Sequence, residues 1–326
     1  MTGPHPVVAA VRLAVRGVLS SLPPGARVLA ACSGGADSLA LAEALAFEAP
    51  KLAIDAGAVI VDHGLQAGSG SVARRAAMHC RGLGLDPVEV VTVAVDPGGV
   101  GPEAAARTAR YAALEEAADR VGAELVLLGH TRDDQAEQVL LGLARGSGAR
   151  SLSGMPARRG RYARPLLGLT RAQTAAACTA SGLEPWADPH NDDPAYARVR
   201  ARRVLPALEA ALGPGVAAAL ARTADQLRED ADHLEELAAA AAASLGPCPL
   251  PATDLAALPR PVRTRLWRLL VLAAGAPAGA VAFSHVEACD ALVSRWHGQG
   301  PVHVPGGVTV TRSGGRVSIT TPSRVE

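Results

Sequence analysis

One stretch, VLAACSGGADSLALAEAL at residues 28–45, constrains this chain more than any other. An apolar run of small and β-branched residues stops at Ser33, Gly34, Gly35, Ala36, Asp37 and Ser38, and a run with helical spacing follows directly. The pattern predicts a strand, a glycine turn and a helix. Such a turn points a row of backbone N–H groups and the positive end of a helix dipole at one place, which suits a phosphate group. A lone Gly-Gly pair would read as an ordinary turn. Here SGGxDS specifies every position but one, and at ~7% usage per residue a random window matches on the order of once per million. The GxxxxGK[ST] type of phosphate loop is excluded, because no lysine follows and the chain's single lysine is Lys51.

The surrounding order of elements predicts the fold class. Buried strands are expected at 27–31, 56–62, 88–95 and 124–129, with helices at 39–49, 71–83 and 102–120 between them. That alternation gives an α/β, doubly wound, mostly parallel sheet. Right-handed crossovers then bring the strand ends to one rim, where open parallel sheets bind ligands. Gly213-Pro214-Gly215 is the clearest break, so the expected organisation is a catalytic domain at 1–213, a linker helix at 214–245 and a small α+β domain at 246–326.

Composition narrows the function classes. At 326 residues and 49% hydrophobic content the chain can bury two cores, but with aromatics at 2% it must build them from Ala, Val and Leu. A net charge of +1 excludes a globally basic nucleic-acid binder and leaves room for a local patch. Cys32, Cys80, Cys178, Cys248 and Cys289 form no CxxC pair, so neither disulfides nor structural zinc are expected. The segment 7–19 is interrupted by Arg12 and Arg16, as in an amphipathic helix rather than a secretion signal. A cytoplasmic protein without membrane contact is expected; the assembly state is open, a homodimer included.

A second stretch, GHTRDDQAEQVLLGLARGSG at 129–148, opens at the end of the fourth expected strand. His130, Asp133, Asp134 and Glu137 should therefore project at the same rim as the glycine loop. Asp134 and Glu137 share one helical face. Two carboxylates facing a phosphate loop invite a metal ion or a cationic substrate, while the plainer reading has them favouring a helix N-terminus.

SGGxDS resembles the loop of the PP-loop ATP pyrophosphatases, which cleave ATP between its α and β phosphates and adenylate a carbonyl oxygen. The likeness sharpens with VDHGL at 61–65, EAAARTARY at 103–111, GHTRDDQAEQVLL at 129–141, RGSG at 145–148, RPLLGLTR at 164–171 and W.DP.N at 186–191. These occur in the order seen in the tRNA(Ile)-lysidine synthetase family, closely from 28 to 206 and more loosely in the tail. Gln66, Gln138 and Val199 depart from the residues most frequent there.

The resemblance implies ligation of free L-lysine to C2 of the wobble cytidine of a CAU-anticodon tRNA(Ile), with ATP as substrate and Mg²⁺ as its companion. It implies that Ser33, Gly34, Gly35, Ala36, Asp37 and Ser38 hold the ATP phosphates, with Asp37 also approaching the metal. Arg110 and His130 would contact ATP, and Asp134 and Glu137 would bind lysine. Asp37, Arg110, His130, Asp134 and Glu137 form the implied catalytic set. Arg198, Arg200, Arg202 and Arg203, with Arg263 and Arg265 on a basic helix, are candidates for tRNA contacts; each could equally be a solvated surface charge. The alternatives are another PP-loop tRNA-modifying enzyme, such as a thiolase, and a non-catalytic ATP-binding protein.

Overall fold

The apolar runs become parallel strands because they are covered on both faces, which is where near-continuous apolar sequence belongs. The computed structural model describes residues 3–62, 64, 68–94, 102–146, 148–188 and 193–321. Of the motif residues named above, His63, Leu65, Gln66, Ser147, Pro189, His190 and Asn191 lie outside these. Residues 1–226 and 227–326 form separate compact units, the division falling within one long helix.

The first unit runs α1 (Pro6–Leu19), β1 (Arg27–Ala31), α2 (Ala36–Glu48), β2 (Asp55–Asp62), α3 (Ser69–Gly82), β3 (Val88–Thr92), α4 (Pro102–Val121) and β4 (Leu125–Leu128). It continues with α5 (Arg132–Ala144), α6 (Gly148–Leu152), β5 (Arg158–Arg159), β6 (Tyr162–Ala163), α7 (Arg171–Ala180) and α8 (Ala197–Leu212), and then enters α9 (Val216–Leu245). The sheet order is β3-β2-β1-β4-β6-β5, parallel except for β5 against β6. Strand order reverses at β1, so β1 and β4 flank the switch point where a crevice opens beyond the strand ends.

Alternation along β1 divides the core. Val28 and Ala30 face a cluster built with Val11 and Val15 of α1, Leu41 and Leu45 of α2, and Cys178 of α7. Leu29 faces the other side, against Leu114, Ala117 and Ala118 of α4. Arg12 and Arg16 do not simply face water as an amphipathic surface helix would have them: they pair with Glu43 and Glu48 of α2.

The second unit holds β7 (Leu250–Pro251), α10 (Ala252–Ala257), α11 (Arg260–Ala273), α12 (Phe283–Ser294), β8 (Val302–Val304), β9 (Val308–Ser313) and β10 (Arg316–Thr320). Its antiparallel sheet, ordered β7-β10-β9-β8, packs on a core centred on fully buried Trp267. Among the described residues no single helix is long and apolar enough to cross a membrane.

Candidate active site

The glycine loop joins β1 to α2 with Gly34 at φ +84°, a conformation that favours glycine. Helix α2 begins at Ala36, earlier than the apolar spacing alone predicts, so Asp37 and Ser38 sit in its first turn. Ser38 is turned inward: its hydroxyl accepts from the Ser33 N–H at 3.1 Å and donates to the Gly35 carbonyl at 2.9 Å. It braces the loop, while Ser33 is exposed. The Trp186 N–H donates to the Gly34 carbonyl at 2.9 Å and ties the 186 segment to the loop.

The second half of the site is pressed against the first at Gly129. A Cβ there would lie 3.1 Å from the backbone carbonyl of Asp37, so glycine lets the end of β4 approach α2 this closely without a shift of the backbone. His130 follows. Burial, with Arg164, Arg110 and Arg198 nearby, pushes its imidazole down to about 3 against the opposing pull of Asp134. It is neutral at pH 7, and its buried Nδ1 has no hydrogen-bond partner among the described residues. Arg110 has no ion-pair partner among the described residues; burial, then Arg107, lowers its pKa.

The acid pair is already engaged. Asp134 is the N3 residue of a capping box on α5: Oδ2 accepts from the Thr131 N–H at 2.7 Å and from its hydroxyl at 2.9 Å. Its Oδ1 accepts from Arg171 Nη2 at 2.9 Å. Burial works against this charge, but Arg171 and the cap outweigh it and hold the carboxyl below its usual range. Glu137, 1% exposed, accepts on Oε1 from Arg171 Nη2 at 3.1 Å and from Arg202 Nε at 2.9 Å, leaving buried Oε2 without a partner among the described residues.

Arg171 is therefore the hub that sequence reasoning left without a role. Besides Asp134 and Glu137 it reaches Asp37, with Nε 4.0 Å from Oδ2, and its backbone N–H donates to Asp133 at 2.9 Å. The signal was present: Arg171 ends RPLLGLTR, and Thr170 with Gln173 forms a capping box that starts α7 at the rim. Thr174, one turn on, is fully buried and donates its hydroxyl to Asp37 Oδ1. Burial raises the Asp37 carboxyl pKa against the pull of Thr174, and Asp134 adds to the rise. A cation beside Asp37 would relieve that repulsion. Among the described residues no group of three or more His, Cys, Asp or Glu side chains could cage a metal. Asp37 thus fits Mg²⁺, which takes one or two carboxylates, with phosphate oxygens and waters as its other ligands.

The arginines of the tail separate into groups. Arg198 and Arg202 are half-buried and face α5, Arg198 donating to Gln138 at 3.3 Å and Arg202 to Glu137. Val199 between them is buried. Arg200 and Arg203 point outward. In the second unit Arg265 is partly exposed, whereas Arg263 corrects the expectation. It is 8% exposed, forms a two-point ion pair with Asp290 at 2.6 and 3.2 Å, and donates to the carbonyls of Ala256 and Leu258. A guanidinium so occupied cannot reach a phosphate; it joins α11 to α12.

A crossed-over parallel sheet with SGGxDS at its switch point defines the PP-loop class of ATP-binding domains, and the model described as "PP-loop domain" matches residues 13–208. A second, described as "TilS substrate binding domain", matches residues 250–318. The chain is 57% identical to a tRNA(Ile)-lysidine synthase of Thermobifida fusca, covering 98% of this chain and 99% of that one. It is 53% identical to the enzyme of that name from Streptomyces coelicolor, covering 97% and 99%. The chain belongs to the tRNA(Ile)-lysidine synthase family. A solved U34-tRNA thiolase, NcsA from Methanococcus maripaludis with its [4Fe-4S] cluster, shares the fold at TM-score 0.58 and 18% identity, over 68% of this chain and 80% of that one.

Proposed function

We propose that this protein ligates free L-lysine to C2 of the wobble cytidine of a CAU-anticodon tRNA(Ile), in the cytoplasm. The cytidine O2 attacks the α-phosphorus of ATP and pyrophosphate leaves. The lysine ε-amine, having lost its proton, then attacks C2, forming the C–N bond as the C2–O bond breaks and AMP departs. The observation that carries this reading is the meeting of the phosphate loop and the Asp134–Glu137 pair across the β1–β4 switch point.

The residues divide the work by chemistry. The N–H groups of the loop and of the first turn of α2 hold the phosphates, braced by Ser38. Asp37 takes the Mg²⁺ that accompanies ATP, which would neutralise phosphate charge. Arg110 supplies a fixed positive charge, and neutral His130 a ring nitrogen without a partner, where charge develops on the phosphates. The free Oε2 of Glu137 and the Oδ1 of Asp134 receive the cationic lysine, which must share or displace Arg171. Arg200 and Arg203, which are exposed, and Arg265, which is partly so, are the candidates for tRNA backbone contacts, and Arg198 and Arg202 line the lysine side. Incubation with labelled lysine, ATP and a CAU-anticodon transcript should yield lysine-bearing tRNA; no incorporation by protein that binds ATP refutes the reading.

A further inference from the structure

Beside the catalytic residues, between α4 and the β5–β6 hairpin, lies a cleft of about 630 Å³ lined by Arg107, Tyr111, Arg159, Tyr162 and Arg164, with Glu115 and Arg161 at one side. Its volume falls in the roughly 300–1,000 Å³ range of sites that enclose a ligand group. We propose that this cleft binds the single-stranded nucleotides adjoining the target cytidine, a base stacking on the tyrosine pair and its phosphates meeting Arg107 and Arg159. The proposal rests on the tRNA reading above and adds to it a place for the anticodon strand.

Aromatic scarcity is the first argument. The chain has 3 tyrosines, and two of them, Tyr111 and Tyr162, meet here edge to face with centroids 5.1 Å apart. Cores built from Ala, Val and Leu do not require them, and only part of each ring is spent on the α4-side core. The Tyr162 hydroxyl donates to Glu115 at 2.6 Å, which fixes its ring. Arg107 lies over the Tyr111 ring at 5.1 Å, so a guanidinium plane and an aromatic face stand together, the pairing that takes up unstacked bases.

Charge is the second argument. Arg161 is neutralised by Asp119 at 2.6 Å and Glu115 at 3.1 Å. Arg107 and Arg159 are exposed, and neither has an ion-pair partner among the described residues. Arg164 is 6% exposed; it donates to Pro156 O and the Tyr111 hydroxyl and keeps a buried Nε with no partner among the described residues. Its charge, with those of Arg110 and Arg198, adds to burial in lowering the His130 pKa. Arg107 and Arg110 stand three residues apart on one face of α4, so the cleft adjoins the residue assigned to ATP.

The test combines kinetics and binding on the full chain. Arg107→Ala with Arg159→Ala should raise the KM for tRNA about ten-fold and flatten the salt dependence of tRNA binding by about 1.4 in log–log slope, since each of the two single-strand phosphate contacts contributes roughly 0.7. KM values for ATP and lysine should not move. Tyr162→Leu should weaken tRNA binding about ten-fold while Tyr162→Phe, which keeps the ring and loses the bond to Glu115, stays near the parent. Photoreactive uridine placed next to the target cytidine should cross-link to a peptide containing Tyr111 or Tyr162. An unchanged tRNA KM and salt slope in the double variant, with lysine still incorporated, overturns the cleft and leaves the function standing. A rise in the KM for ATP or lysine instead overturns it in favour of a small-molecule pocket. Absence of lysine incorporation by the parent protein refutes only the function, because the binding measurements judge the cleft independently.

Discussion

At the residue scale, Asp134 does two jobs that substitution can separate. Asn retains an oxygen for the Thr131 cap and removes the charge, so Asp134→Asn is expected to raise the KM for lysine about ten-fold, the loss expected of a charged contact, and that for ATP much less. Asp134→Ala should lose about 1 kcal/mol of stability in addition, through the cap, measurable by denaturant unfolding. Equal losses for both substrates in Asp134→Asn would contradict the assignment. His130 makes a pH signature. Its folded pKa of about 3 lies below the unfolded value of about 6.5, so the unfolded chain binds the proton first as pH falls. Stability should therefore decline as pH drops from about 6.5 toward 3, and His130→Gln should flatten that decline in unfolding curves taken across the range. The acid cluster was legible in the sequence because its members are close along the chain. Arg171 was marked by its motif, but its pairing with them was not legible, because its distance from them in sequence is large and only the packing of α7 on α2 brings it there.

At the element scale, the strands that bear the site were readable as short apolar runs because the sheet buries both of their faces. The β5–β6 hairpin was not. Its strands are two residues each, too short to show a period, and the edge strand β5 consists of two exposed arginines. The same limit applies to β7, two residues that include a proline. The closeness of elements makes an expectation at Gly129. Gly129→Ala places a methyl 3.1 Å from the Asp37 backbone, and overpacking of this kind costs typically about 1–3 kcal/mol. Because the strain falls on the first turn of α2, the KM for ATP should rise more than that for tRNA. A variant with an unshifted melting temperature and ATP KM would show that the loop does not depend on this approach.

At the scale of the molecule, each compact unit has its own core. Arg263→Ala leaves Asp290 charged among buried side chains, which also include the Trp267 Nε1 donating to it at 3.3 Å. Breaking such a pair costs about 3–5 kcal/mol. The expected outcome is a lowered unfolding temperature for the unit of residues 227–326 and an unchanged affinity for ATP, read by calorimetry and nucleotide titration. Weaker tRNA binding by this variant would then reflect a damaged fold. Arg265→Ala, which removes no buried partner, is the variant that tests a phosphate contact, through the salt slope of tRNA affinity.

The sequence by itself determined the phosphate loop, the strand-and-helix alternation and the acid-bearing helix start, because these depend on residues adjacent along the chain and on local periodicity. It also carried the motif order that placed the chain in its family. Only the tertiary structure decided which charges meet. It seated Arg171 between Asp134 and Glu137, turned Ser38 into the loop, sank Arg263 onto Asp290, and set Tyr111 beside Tyr162. Pairings of that kind depend on how helices and strands pack across long separations, and no spacing along the chain encodes them.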